Sequence, residues 1–258
     1  MKIIVLMKQV ANKDAVLRIG KDEKWIDEND IAQQTNESDG YGLEEALRLK
    51  EAKGEGEVIV CTLGGQSAKT VIKDALARGA DRAIHVLTEN ARELSPYRIA
   101  KAIADAVREE NADLIFTGLQ SDDASYGQTG VILAELLGIP HATIVIELDR
   151  ESLNGSLRVK RELESGWYQW FTYQLPALLT IQSGISQIRY ASLKGIMAAK
   201  KKEIREVTPD LEDFASAQEI QKVYLPLKTK QTQMLGGGDA KAGAVELVEK
   251  LKTEVRVL

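Results

Sequence analysis

The segment of this chain best supplied with groups that can hold a ligand runs Gly118-Leu119-Gln120-Ser121-Asp122-Asp123-Ala124-Ser125-Tyr126-Gly127-Gln128-Thr129-Gly130. A polar, glycine-containing loop that ends in the first turn of a helix offers unsatisfied backbone N–H groups to an anion, and the Gln128 and Thr129 side chains stand beside them, which suits a phosphate. The same residue types make ordinary turns and caps, so this loop by itself leaves a nucleotide site and a plain polar turn both open. Two other stretches have similar character: Leu63-Gly64-Gly65-Gln66-Ser67, whose glycines permit close approach of a ligand or simply a tight turn into a helix, and Asn36-Glu37-Ser38-Asp39, just ahead of an apolar helical pattern. Three polar loops at one edge favour a binding site.

Catalytic groups are scarcer. The chain has no G-x-x-x-x-G-K-[ST] phosphate loop, no G-x-G-x-x-G, no G-x-S-x-G and no H-E-x-x-H. His85 and His141 are the two histidines and Cys61 the one cysteine, which excludes an internal disulfide and a cysteine-based zinc site. Each histidine reads as a structural or surface residue, Cys61 as a buried small hydrophobe inside an apolar strand, and Asp122 and Asp123 as capping or solvated acids. The inventory is that of a nucleotide binder that is not a catalyst on its own. Across 258 residues, 44% are hydrophobic and 28% charged, and the net charge is −5. That composition suits a globular protein with a buried core and gives no overall attraction to nucleic acid or to anionic lipid. The opening Met1-Lys2-Ile3-Ile4-Val5-Leu6-Met7-Lys8 is broken at Lys8 and reads as a first strand, and no run reaches the roughly 20 apolar residues of a membrane span, so a cytoplasmic protein is expected, without membrane insertion.

The elements that must position these loops are legible up to about residue 140. Ile3–Leu6, Val58–Thr62, Ala83–Val86 and Leu114–Thr117 are short apolar runs of the kind buried on both faces in a parallel sheet. Between them lie helical stripes at Leu43, Ala46, Leu47 and Leu49, at Val71, Ile72, Ala75 and Leu76, and at Ile99, Ala102, Ile103, Ala106 and Val107; a fourth helix spans about Gly127 to Leu137 and stops at Gly138. Beyond Pro140 the segments 142–147, 157–162, 168–174 and 177–182 predict an antiparallel or mixed extension, with turns at Asn154-Gly155 and Ser165-Gly166. Residues 183–237 show little periodicity, and an amphipathic helix capped by Asp239 closes the chain. The expected architecture is α/β: a doubly wound, mostly parallel, Rossmann-like sheet for an adenine nucleotide, with an antiparallel extension and an extended C-terminal arm.

Several blocks resemble one family, the β subunit of electron-transfer flavoproteins, over nearly the whole chain: residues 2–10, 43–50 and 77–83, and above all Ile188-Arg189-Tyr190-Ala191-Ser192-Leu193-Lys194-Gly195-Ile196-Met197-Ala198-Ala199-Lys200-Lys201-Lys202. The resemblance implies a heterodimer whose α subunit holds most of a redox-active FAD while the β subunit binds AMP structurally and helps to enclose the flavin. It implies AMP contacts at Leu6, at Asn36, Glu37, Ser38 and Asp39, at Leu63 and Gly64, and at Gln120, Ser121, Asp122, Asp123, Tyr126, Gly127, Gln128, Thr129 and Gly130; Gln120, Asp123, Gln128 and Thr129 fit the family's Q-x-x-D-x-x-x-x-[QS]-T-G spacing. By the same resemblance residues 1–183 are the nucleotide-binding domain and 184–204 a recognition loop. There Leu193, with Tyr190, Ile196 and Met197, docks a dehydrogenase donor. Residues 205–258 are an arm and helix that pack on the α subunit. Electrons then pass from the dehydrogenase through FAD to a quinone-reducing or other acceptor, in a protein expected to be bacterial.

Bifurcating relatives carry a second FAD in the β site and resemble D-G-D-T-A-Q-V-G in this loop; here it reads Asp123-Ala124-Ser125-Tyr126-Gly127-Gln128-Thr129-Gly130, which looks like the AMP-binding branch. The chain departs from the family pattern at Ser165, and at the aromatics Trp167, Tyr168 and Trp170. Two alternatives stay open, a bifurcating relative and a standalone ATP-binding regulatory or stress domain, and the long arm speaks against the second. Lys200-Lys201-Lys202 reads either as steering for acidic partners or as a solvated charge run.

Overall fold

The computed structural model describes every residue except 90, 154, 212–218, 228–231 and 258. Met1–Gln221 and Lys222–Leu258 form separate compact units. In the first, β1 (Lys2–Leu6) is followed by a short antiparallel ribbon of β2 (Gln9–Ala11) and β3 (Gln33–Thr35), then α1 (Glu37–Lys53), β4 (Glu57–Gly64), α2 (Lys69–Arg78), β5 (Arg82–Leu87), α3 (Pro96–Val107), β6 (Leu114–Gly118) and α4 (Thr129–Leu137). The remainder is β7 (His141–Asp149), β8 (Ser156–Glu162), β9 (Tyr168–Gln174), β10 (Ala177–Ile181), α5 (Leu193–Ala199) and β11 (Ile204–Val207).

Among the described residues, nine strands join in the order β11-β5-β4-β1-β6-β10-β7-β8-β9. Neighbours from β11 to β7 are parallel, and β8 and β9 are added antiparallel at one edge. Alternating side chains divide the core between two faces. Ile3, Val5, Val58 and Phe116 pack with Leu43, Leu47 and Val71 of α1 and α2, whereas Ile4, Leu6, Ile59 and Ile115 pack with Ala100, Ile103 and Leu133 of α3 and α4. With helices on both faces, the strands read as unbroken apolar runs. Strand order reverses between β1 and β6, so their carboxyl ends diverge into a crevice, the place where a doubly wound sheet binds ligands.

Two features depart from the sequence expectation. The segment 177–181, grouped with the extension, returns instead to the middle of the parallel sheet between β6 and β7; all five residues are buried, as a central strand requires. Strand β11 and helix α5 lie in a stretch read as irregular, and β11 completes the far edge by pairing Ile204 to Val207 with Ala83 to Val86. Four residues are too few to show a period of their own. The hairpin turn expected at Ser165-Gly166 is present, both residues having positive φ (58° and 76°), and Leu163 N–H donates to the Trp167 carbonyl at 2.8 Å. Of the other expected turn, Asn154 lies outside the described residues. No helix among the described residues is long and apolar enough to cross a membrane.

The second unit contains α6 (Ala240–Lys250), capped as expected by Asp239, whose carboxylate accepts from Lys241 N–H at 2.8 Å. Val245, Leu247 and Val248 on this helix are exposed.

The antiparallel edge is tied back to α1 by an ion pair: Arg150, just after β7, donates from Nη2 at 2.9 and 2.7 Å to the two carboxylate oxygens of Glu45, whose side chain is wholly buried. Removing the arginine strands a carboxylate away from water. Arg150→Met is therefore expected to destabilise the protein by about 1–3 kcal/mol in denaturant unfolding, and Glu45→Gln added to it to recover part of the loss.

Candidate functional site

A cleft of about 460 Å³ opens beyond the carboxyl ends of β1, β4 and β6. Its floor is set by Asp39 in the first turn of α1. That carboxylate reaches across the gap between the diverging strands, accepting from Lys8 N–H at 2.8 Å with Oδ2 and from Gly118 N–H at 2.9 Å with Oδ1. Residue 118 has to be glycine, because a Cβ there would collide with Ser38 Oγ and Asp39 Oδ1. Burial pushes the Asp39 carboxyl up from 3.8 to about 7, against the pull of the main-chain N–H groups, Asn36 and the Lys8 charge.

The stretch 36–39, expected to precede the helix, is instead its start: Asn36 sits immediately before α1, and Glu37, Ser38 and Asp39 form the first turn, where acids suit the helix dipole. This turn is sewn to the 118–126 loop. Asn36 Nδ2 donates to the Gln120 carbonyl at 3.0 Å while its Oδ1 accepts from Asp122 N–H at 2.9 Å. Ser38 Oγ donates to the same carbonyl at 3.0 Å, and Glu37 N–H donates to Asp122 Oδ2 at 3.3 Å. Glu37, Ser38 and Asp122 thus form the seam behind the cleft and do not line it. The other candidates, Leu6, Asn36, Asp39, Leu63, Gly64, Gln120, Ser121, Asp123, Tyr126, Gly127, Gln128, Thr129 and Gly130, all do. Gln128 precedes α4 without a side-chain bond to its first turn, and Thr129 and Gly130, the first residues of the helix, line the cleft.

Lys8 also lines the cleft and was not singled out from the sequence. Its ammonium lies 2.6 Å from Asp123 Oδ1 and 3.3 Å from Ser121 Oγ. Burial raises the Asp123 pKa, but the Lys8 charge and hydrogen bonds more than offset this and hold the carboxyl below its usual range. Its place directly beyond the carboxyl end of β1 was the available signal. Trp25, Glu28, Glu89 and Arg92 line the cleft too, from segments without periodicity, and Arg92 is ion-paired to Glu28. His85 is fully buried and donates from Nε2 to the Gly64 carbonyl at 3.0 Å, which supports the wall behind that glycine. Burial pushes the Cys61 thiol up to about 12, so it is no nucleophile.

Away from the cleft, the segment before α5 is clamped to α1. Arg189 donates to Glu44 at 2.9 and 3.1 Å and to Glu51 at 2.5 and 3.0 Å, and Arg48 donates to the Gln187 carbonyl at 3.0 Å. Burial raises the Glu44 pKa, yet Arg189 and Arg48 bring it below the normal value. Ser192 Oγ caps α5 by accepting from Gly195 N–H at 3.0 Å, and Gly195 presses so closely on the Ala77 carbonyl of α2 that a Cβ would collide with it. Lys202 is not part of a solvated charge run: its ammonium donates to the Leu76 and Ala80 carbonyls at 2.9 and 2.5 Å, capping the C-terminus of α2. On this support Tyr190 is 95% exposed and Leu193 83%, with Ile196 and Met197 exposed beside them.

Because Asp39 titrates near 7 when folded and near 3.8 when unfolded, the folded state keeps a proton over that interval that the unfolded state has lost. Stability contributed by this group is fully present below pH 3.8 and lost as pH rises to about 7. Thermal unfolding midpoints are expected to fall over this window more steeply in the wild type than in Asp39→Asn, which has no proton to lose; parallel profiles would contradict the assignment.

Residues 24–212 match the family described as "Electron transfer flavoprotein domain". The chain is similar to the electron transfer flavoprotein subunit beta of Methylophilus methylotrophus, with 32% identity over 98% of this chain and 99% of that protein. It is also similar to the subunit beta of Bacillus subtilis (strain 168), with 33% identity, and to the mitochondrial subunit beta of Arabidopsis thaliana, with 36% identity, each covering 100% of both chains.

Proposed function

This chain belongs to the electron transfer flavoprotein β-subunit family, and from that premise we propose that it binds AMP in the cleft at the sheet's switch point, pairs with an α subunit carrying FAD, and presents α5 to a dehydrogenase donor. The observation that carries this reading is the juxtaposition at β1 and β6: the polar loops after β4 and β6 and the first turn of α1 converge on one cleft lined by the start of α4, where Gln128 makes no side-chain cap, while the cysteine beneath it is a buried thiol with a raised pKa. Its volume lies within the range of small-molecule pockets. That combination supports retention of a nucleotide over its turnover. When bound by the α subunit, FAD supplies the electron acceptance and donation.

What this chain's own residues do is hold and position. Asp39 fixes α1 at the switch point, Asn36 and Ser38 hold the loop that encloses the nucleotide, and Arg189, Gly195 and Lys202 hold the segment bearing Leu193 on α1 and α2. A single exposed leucine that buries itself in a partner's apolar pocket stabilises the complex by roughly 1.5–3 kcal/mol, enough for a transient encounter and weak enough for release. In the heterodimer, Leu193→Ala is expected to raise the KM for the donor dehydrogenase by roughly tenfold or more, with FAD content unchanged. Gly195→Ala, which keeps the leucine but displaces α5, is expected to raise it as well. An unaltered donor-coupled rate in both variants would overturn the docking assignment.

A further inference from the structure

Helix α5 turns its small residues inward and its large apolar ones outward. Gly195 lies against the Ala77 carbonyl with no room for a Cβ, and Ala199, one turn on, packs on the core. Leu193, Ile196 and Met197 are left outside, and Met197 is 63% exposed, four residues from Leu193 and so beside it on one helical face. The Ser192 cap before the helix and the Lys202 ammonium after it, bound to the C-terminus of α2, hold this orientation. With the floor under α5 filled, the Met197 thioether has no inward position to withdraw to. The chain has four methionines. Met7 is buried in the core among Ile3, Val5 and Leu43, Met1 is half-buried, and Met234 is exposed in the second unit.

We propose that Met197 is an oxidation site at which hydrogen peroxide weakens docking of the donor. The assignment rests on the docking reading above and extends it from the surface to its regulation. The Met197 sulfur attacks one peroxide oxygen, so that an S–O bond forms as the O–O bond breaks. The sulfur gives up two electrons, the proton on the transferred oxygen passes to the departing hydroxide, and the peroxide is reduced to water. The product is a sulfoxide, polar where the thioether was apolar. Burying that oxygen against an apolar partner surface without a hydrogen bond opposes association, whereas on the undocked protein it lies in water. Oxidation here therefore acts on docking and leaves the fold alone. Met7 is shielded from the same reagent by the core around it. Because methionine sulfoxide is reduced back enzymatically, the change is reversible.

The test uses the complete αβ heterodimer, treated with hydrogen peroxide, freed of the reagent, digested for peptide mass analysis and assayed for reduction by its donor dehydrogenase. In the wild type the Met197 peptide is expected to gain one oxygen atom well before the Met7 peptide. The KM for the donor is expected to rise roughly fivefold or more, with kcat and FAD content unchanged. Methionine sulfoxide reductases with a dithiol reductant are expected to return both the mass and the KM. In Met197→Leu, whatever its starting KM, peroxide is expected to leave that KM where it was, whereas Met234→Leu stays as sensitive as the wild type. Oxidation at Met7 ahead of Met197, full oxidation at Met197 with an unaltered KM, or a Met197→Leu heterodimer as sensitive as the wild type would each overturn the role of Met197. Leu193→Ala separates this from the docking reading. If that variant raises the KM while oxidation does not, the oxidation role alone falls; if neither changes it, the docking reading falls as well.

Discussion

One buried carboxylate holds the functional end of this molecule together. Where β1 and β6 part, two strand ends are left with main-chain N–H groups facing a gap, and unpaired buried donors of this kind are costly. Asp39 satisfies one from each strand at 2.8 and 2.9 Å and in doing so plants the N-terminus of α1 over the crevice. Two further parts take their position from α1. Asn36 and Ser38 hold the long loop to its first turn, and further along the same helix Glu44 and Glu51 receive Arg189. One helix thus carries both the seam of the ligand cleft and the clamp of the exposed segment that bears Leu193.

The proposal that the cleft holds a ligand without transforming it rests on the same arrangement. Of the acids that line it among the described residues, Asp39 binds the strand ends, Asp123 pairs with Lys8, Glu28 pairs with Arg92 and Glu89 accepts from Gln66 N–H. Its cysteine is buried in β4 with a thiol pKa near 12, and His85 spends its Nε2 proton on the Gly64 carbonyl. For a subunit of an electron carrier this is sufficient, since electron transfer asks the protein chain for placement and for release of partners, not for proton transfer or a covalent intermediate.

Much of this was legible from the residues alone, and the parts that were not share a physical cause. Buried parallel strands announce themselves as apolar runs, and β1, β4, β5 and β6 lie where those runs do. The polar stretches before α1 and after β4 and β6 had to converge once the sheet was doubly wound. Contributions from outside the periodic segments were invisible: Trp25, Glu28 and Arg92 reach the cleft from chain that follows no repeat, and β11 and α5 are too short to display one. The strand 177–181 was seen as a strand but placed in the wrong part of the sheet, because an apolar run carries no record of its neighbours. Lys202 shows the converse error, since three consecutive lysines read as one feature although the last of them caps α2.

The central claim is that the cleft beyond β1 and β6 holds a nucleoside monophosphate while the flavin belongs chiefly to the partner subunit. The most direct test is to purify the intact heterodimer, denature it, and identify and count the released nucleotides by chromatography and mass. One AMP and one FAD per heterodimer is the result this account predicts. Two FAD and no AMP, or FAD with no second nucleotide, would contradict it.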